Sequence, residues 1–245
     1  DMLGGSKQSA PKAGSQSTGL SQASMKAMIF AAGLGTRLRP LTDDKPKALV
    51  EVSGKTLLEH VVHKLVSNGF NDIVINVHHF ADMIEEWCQQ HPMRCRILFS
   101  DERDKLLETG GGIKHAAPLL RDASDGFLIH NVDTLSNVDL SAFNEASQGR
   151  AASLLVSERE TQRYLLFDDD MRLVGWTNVA TGEVRSPYPN LDPSLYKKYA
   201  FAGVHYMNPS LFSYFDSFPD KFSIIDFYLK VCSAEPIYVY VQPNL

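Results

Sequence analysis

Cysteine is scarce: Cys88, Cys95 and Cys232 are the only three in 245 residues. An odd number without metal-ligand spacing gives no disulfide framework and no cysteine-built zinc site, and reads as buried thiols in a reducing compartment. No apolar run approaches the ~20 residues that cross a bilayer. Nor does an apolar stretch follow the first lysines to make a secretory signal. The expected location is cytoplasmic, with no membrane partner. Positive charge is also short, 24 Lys and Arg against 29 Asp and Glu, for a formal net charge of -5. A nucleic-acid polymer needs a basic face, so it is not an expected partner. Any phosphate site must be local, assembled from a few cationic side chains and backbone amides.

The remaining composition, 44% hydrophobic and 22% charged, is that of an ordinary globular chain. Residues 1–24 stand apart, rich in Ser, Gly, Gln and Ala, without aromatics or periodicity. Such a segment buries too little apolar surface to offset its ordering entropy, so a flexible leader or linker is expected there. A single domain is expected over 25–245. Short apolar runs alternate with helical spacing: strand Ala27–Ala32, helix Leu57–Leu65 closed by Asn68-Gly69, strand Asp72–Val77, helix Ala81–Gln90, strand Arg96–Phe99, helix Ile113–Leu120, strand Gly126–Asn131, and a helix capped by Asp139. After Ala151 strands dominate, with helices expected at Pro209–Phe215 and Ile224–Val231 and a last strand at Ile237–Val241. The fold class is α/β, a Rossmann-like, mainly parallel mixed sheet with helices on both faces.

Chemistry concentrates first in Ala31-Ala32-Gly33-Leu34-Gly35-Thr36-Arg37-Leu38-Arg39-Pro40-Leu41-Thr42. A glycine-rich turn after a strand lets backbone N–H groups approach phosphate oxygens, and Arg37 adds a guanidinium fork. The dinucleotide fingerprint fails because Leu38 stands where a third glycine belongs, and no Gly-Lys-Ser/Thr follows to make a Walker loop. On spacing alone a structural tight turn and a phosphate loop are equally good readings.

Lys45-Pro46-Lys47-Ala48-Leu49-Val50 and Leu107-Glu108-Thr109-Gly110-Gly111-Gly112-Ile113 follow in order. Together the three segments resemble those of the sugar-1-phosphate nucleotidyltransferases of the nucleotide-diphospho-sugar transferase fold, from Lys26 to about Gln242. They are most similar to the N-acetylmuramate-1-phosphate uridylyltransferases and the mannose- or heptose-1-phosphate guanylyltransferases. The resemblance implies an enzyme that uses a nucleoside triphosphate, UTP by preference, and Mg²⁺ to turn a sugar 1-phosphate into a nucleotide-sugar and pyrophosphate. It implies that Ala31 and Ala32 floor the nucleoside pocket and that Gly33, Leu34, Gly35, Thr36 and Arg37 wrap the triphosphate. By the same resemblance Lys47 would lie at the α-phosphate, the backbone of Gly110, Gly111 and Gly112 would read the base, and Glu108 would contact base or ribose. Asp133 would bind the metal, while Asn131 and Gly203, in Phe201-Ala202-Gly203-Val204, would line the sugar pocket. Arg37, Lys47 and Asp133 are the catalytic expectations.

Two departures stand against this pattern: Val132 replaces a family glycine, and the sequence ends at Leu245 before a second metal-binding aspartate, so a truncated or catalytically impaired chain is expected. Both leave room for a binding homologue without turnover, and a guanylyl- or cytidylyltransferase with another phosphorylated acceptor shares every motif. Other residues have plainer readings. His60 and His63 are ordinary helix histidines, His78 and His79 point to opposite faces of a strand end, and His130 packs. Asp168-Asp169-Asp170 is a hairpin turn. Arg163 and Tyr164 read as sheet residues, and Asp226 as a helix residue.

Overall fold

The computed structural model describes residues 25–242; the leader expected over 1–24 and the end of the chain near Leu245 lie outside the described residues. The first strand, β1 (Met25–Phe30), is apolar on both faces and sits mid-sheet. It pairs in parallel with β4 (Phe70–Val77) on one side and with β6 (Phe127–Asn131) on the other. Beyond β4 lies β5 (Arg96–Asp101), also parallel. Parallel neighbours need crossover helices: α1 (Leu57–Ser67), α2 (Ala81–Gln90) and α3 (Glu108–Leu120) provide them, and α4 (Leu140–Ser147) follows β6. A two-stranded ribbon, β2 (Glu51–Val52) with β3 (Lys55–Thr56), leads into α1.

Local signals set these elements. Thr56 caps α1, its hydroxyl accepting the Glu59 N–H at 3.1 Å, and Asn68 ends it ahead of left-handed Gly69. Asp139 caps α4 by accepting the Ala142 N–H at 3.0 Å. Successive residues of β1 face opposite layers. Ala27 and Ile29 pack with Leu58 and Leu65 of α1, Ile84 of α2 and Phe143 of α4. Met28 packs with Ile113, Ala116 and Leu120 of α3 and with Phe227 of α5 (Ile224–Val231). Helices therefore cover both faces.

The second half is antiparallel. β7 (Ala152–Ser157), β8 (Arg163–Phe167), β9 (Leu173–Asn178) and β10 (Glu183–Arg185) are joined to the parallel block by the long β11 (Lys197–Met207). That strand pairs with β6 at its C-terminal end and with β8 at its N-terminal end, and shifts register between Phe201 and His205. The final strand, β12 (Ile237–Val241), runs parallel to β7. Asp168 accepts the N–H groups of Asp170 and Arg172, so the aspartate triplet is the expected turn between β8 and β9. No described helix is long and apolar enough to cross a membrane.

Two expected helices are corrected. The segment at Pro209–Ser217 is a 3₁₀ helix. More consequentially, α3 begins at Glu108 rather than Ile113, so Gly110, Gly111 and Gly112 are buried inside its first turns. Glycine is a poor helix former, and packing explains its use here. A β-carbon at Gly110 would overlap the Phe222 ring, and one at Gly111 would overlap the Asp220 carbonyl. The N–H groups of Gly110 and Gly111 both donate to the Phe222 carbonyl, at 2.9 and 3.1 Å. Gly111→Ala is expected to destabilise the chain by about 1–3 kcal/mol, because a backbone carbonyl cannot swing aside like a side chain. Thermal unfolding measures this as a drop of several degrees; an unchanged melting temperature would mean that the segment around Asp220 yields freely.

Candidate active site

Phe30 at the end of β1 pairs with Asn76 of β4 and Asn131 of β6. The three chain segments that follow thus leave the carboxyl edge of the sheet side by side, where ligands of open α/β sheets gather. Ala31 and Ala32 are buried beneath the first loop. The Ala31 N–H donates to the side-chain carbonyl of Asn76 at 2.7 Å. Beyond them Gly35 is left-handed, φ 68°, and a β-carbon there would stand 2.8 Å from Thr42 Cγ2. That position requires glycine. The buried Thr42 closes the loop, its hydroxyl donating to the Gly35 carbonyl at 2.6 Å. A single 3₁₀ turn, Thr36–Leu38, holds Arg37 exposed, with Leu34 and Thr36 also at the surface.

Lys47 opens a second short turn directly behind Pro46. A β-carbon on Gly33 would lie 3.5 Å from Lys47 Nζ, and that ammonium stands 3.3 Å from Asp133 Oδ2. The glycine loop, Lys47 and Asp133 therefore meet at one place, although 86 residues separate the last two. Asp133 is carried there by an extension of β6: the Val132 N–H donates to the Phe30 carbonyl at 3.1 Å. The Val132 side chain is fully buried with Ala31 and Ala48 in one apolar cluster, so the valine at this position is accommodated by the core. On the far side of Asp133, Gly203 is left-handed, φ 76°. A β-carbon there would overlap the Thr134 hydroxyl and come within 3.2 Å of Asn131 Nδ2, which puts Asn131 and Gly203 against each other.

The glycine helix connects to this place indirectly. Asn76 is fully buried and donates to Glu102 Oε1 at 3.0 Å while accepting from Ala31. A β-carbon on Gly112 would press on both, 2.8 Å from Glu102 Oε1 and 3.0 Å from Asn76 Nδ2. The pair Asn76–Glu102 thus joins the phosphate loop to α3. Sequence reasoning missed both residues, though a polar side chain at the end of each apolar strand was a readable signal. The expected base reading through the backbone of Gly110 and Gly111 is corrected in one respect, since their N–H groups are already bonded to Phe222. Glu108 remains exposed and takes a left-handed φ of 62°, unusual for a non-glycine residue.

Burial explains the titration of the neighbours. Desolvation pushes the Glu102 carboxyl above the usual range, against the hydrogen bonds from Asn76 and Leu107. His130 packs as expected: it is fully buried, its Nδ1 lies 2.7 Å from the Asn131 carbonyl, and burial lowers its pKa to about 4. His60 contacts the Val52 carbonyl, and His63 lies near Glu59. Among the described residues no group of three or more His, Cys, Asp or Glu could hold a metal by itself. Arg163, Tyr164 and Asp226, set aside as ordinary sheet and helix residues, instead line one cavity with Arg37.

The model of the nucleotidyl transferase family matches residues 26–164, from the start of β1 into β8. The chain belongs to that family. Within it, the chain is 49% identical over 119 residues to the N-acetylmuramate alpha-1-phosphate uridylyltransferase of Caulobacter vibrioides, covering 47% of this chain and 48% of that one. It is 40% identical over 113 residues to the mannose-1-phosphate guanylyltransferase catalytic subunit beta of Xenopus tropicalis, covering 45% and 31%. The chain thus spans about half the length, or less, of the curated relatives it matches. Among solved structures, HddC from Yersinia pseudotuberculosis complexed with GMP-PN superimposes with a TM-score of 0.70 at 25% identity, over 89% of this chain and 90% of that one. A UDP-glucose pyrophosphorylase complexed with UDP-glucose, at 15% identity and TM-score 0.69, shares the fold. The family's nucleotidyl transferase fold therefore extends past the matched residues into the antiparallel half.

Glu102 offers a pH test. A carboxyl whose folded pKa is raised contributes stability below its unfolded pKa and loses it as pH rises through the folded value. Glu102→Gln removes that loss while keeping an acceptor for Asn76. The variant should gain stability relative to the parent as pH rises above the usual glutamate range, read by urea unfolding at several pH values. A pH-independent difference would mean that Glu102 is not held back by burial.

Proposed function

We propose that this chain transfers a nucleotidyl group from a nucleoside triphosphate, UTP by preference, to a sugar 1-phosphate, releasing pyrophosphate. The observation that carries the reading is the meeting of Gly33, Lys47 and Asp133, with the Lys47 ammonium 3.3 Å from Asp133 Oδ2. The higher identity to a uridylyltransferase than to a guanylyltransferase supports UTP.

The chemistry is in-line attack by a sugar-phosphate oxygen on the α-phosphorus, with pyrophosphate leaving. A phosphate oxygen is already anionic at neutral pH, so no general base is needed, and catalysis reduces to positioning and charge neutralisation. The loop from Gly33 to Arg37 binds the triphosphate through backbone amides and the Arg37 guanidinium. Lys47 places a fixed ammonium where negative charge grows. Ala31 and Ala32 give the nucleoside a close-lying floor, and Glu108, exposed at the start of α3, meets base or ribose. Asn131 and Gly203 border the acceptor.

Asp133 fits a divalent cation such as Mg²⁺. It is a half-exposed carboxylate at the edge of the phosphate loop, and Mg²⁺ is ordinarily held by one or two carboxylates together with substrate phosphates. Bound there, the ion would neutralise phosphate charge and orient the triphosphate. Asp133 pairs with Lys47 at 3.3 Å, so each charge keeps the other near the place where it acts.

Pyrophosphate release is the direct assay, with UTP, GTP, CTP or dTTP, Mg²⁺, and N-acetylmuramate 1-phosphate or mannose 1-phosphate. Release is expected to need one nucleotide and one sugar phosphate together, and to stop when EDTA removes the metal. Lys47→Ala and Asp133→Asn should each lower kcat by about 100-fold or more, the scale for loss of a preorganised charge. Nucleotide binding should weaken much less. Full turnover in either variant removes that residue from the mechanism.

A further inference from the structure

One buried group near the end of β6 is used neither by the proposed chemistry nor by the packing around it. His130 is fully buried, and its Nδ1 lies 2.7 Å from the Asn131 carbonyl. A carbonyl only accepts, so Nδ1 carries the ring proton and Nε2 is a bare acceptor in a neutral imidazole. Among the described residues that Nε2 has no hydrogen-bond partner. A buried acceptor left without a donor is costly, and native structures rarely keep one without a reason.

The ring forms part of the wall of a cavity of about 530 Å³. Side chains alternate across a strand. Leu128 packs in the α1 layer and Ile129 in the α3 layer, so His130 points to the α1 side. There α1 supplies Val61 and Lys64, one turn apart on the same side of the helix. The chain that follows Asp133, residues 134–137, closes the space. None of the walls is shared with the arginine-lined cavity beside the phosphate loop.

Lys64 is the second polar feature. Its ammonium donates to the carbonyl and hydroxyl of Ser136, and has no ion pair among the described residues. Burial lowers its pKa, an effect that Asp139 opposes. A partly desolvated ammonium bonded only to neutral oxygens gains most from an anion, which makes a charge-assisted bond. A metal does not suit the place: no group of three or more His, Cys, Asp or Glu among the described residues could hold one, and the ammonium would repel it. The rest of the lining includes apolar surface, with Val61 buried and Leu135 48% exposed. An apolar cavity with a few fixed polar groups is the usual form of a small-molecule site.

We infer that this cavity binds a small organic anion carrying a hydroxyl group, with the anion on Lys64 and the hydroxyl donating to His130 Nε2. The carbon body of the ligand lies against Val61 and Leu135. A carboxylate and a phosphate ester share this chemistry. The site stands apart from the proposed reaction, since neither Lys64 nor His130 serves the nucleotidyl transfer.

The test is calorimetric titration of the whole chain, without nucleotide, using matched pairs: glycerol 3-phosphate with propyl phosphate, and glycerate with propionate. Glycerol is the neutral control. At least one hydroxylated anion should bind about tenfold more tightly than its partner lacking the hydroxyl, the size of one good hydrogen bond. Glycerol should not bind, and the two pairs tell which anion is taken. Lys64→Met should weaken binding about tenfold or more. His130→Phe should abolish the preference for the hydroxyl and keep the residual affinity for the anion. Lys47→Ala should leave the binding unchanged, because the phosphate loop is a different place. Binding lost in Lys47→Ala but kept in Lys64→Met assigns the anion to the phosphate loop and overturns the inference. Equal affinity within both pairs overturns it, as does no binding of any probe at about 10 mM. If His130→Phe fails to fold, as thermal unfolding would reveal, the matched pairs and Lys64→Met decide by themselves.

Discussion

The side-chain amide of Asn76 ties together the segments that leave the carboxyl edge of the sheet. It accepts from the backbone of Ala31, where the phosphate loop begins, and donates to Glu102, against which the glycine helix packs. All of this is buried, so each bond replaces one to water, and losing a partner would strand a polar group at a cost of about 1–3 kcal/mol. A loop that must present backbone amides to phosphate cannot stabilise itself by using those amides internally. Anchoring it from below, through Ala31, leaves the later amides of the loop for a ligand.

Glycine serves two different purposes around this anchor. In the loop, Gly35 allows a left-handed turn that Thr42 then locks. In α3, three consecutive glycines let a helix press against the backbone at Asp220 and Phe222 on one side and against Asn76 and Glu102 on the other. The helix sacrifices propensity and gains contact between the nucleotide-binding half and the segment leading to α5. That segment runs into α5, whose start lines the cavity with the arginines.

Electrostatically the site is built from local charge in a chain that is acidic as a whole. Lys47 and Asp133 neutralise each other across the mouth of the loop, while Arg185 is held by Glu183 and Asp226 in the cavity beyond. Where the pairing stops, at Arg37, Arg159 and Arg163, positive charge is left for substrates. The proposed catalysis follows from the closeness of Lys47 to Asp133.

Much of the parallel half was legible in the sequence because its signals are local. Apolar runs marked β1, β4 and β6, capping residues marked α1 and α4, and the order of three motifs pointed to the family. Gly33 and Lys47 were named from those motifs and Asp133 from the family resemblance at the end of β6, and the fold brings them together. What the sequence could not show is where distant segments touch. The start of α3 was misplaced because helix propensity argues against three glycines, and only the facing segment at Phe222 and Asp220 explains them. Asn76 and Glu102 look like isolated polar residues until β4 and β5 pair and α3 covers them. Arg163 and Asp226 were read as ordinary sheet and helix residues because a cavity formed by β8, β10 and α5 does not exist along the chain. Motif and period are properties of neighbours in sequence, whereas burial, charge balance and cavity walls arise only when separated segments pack.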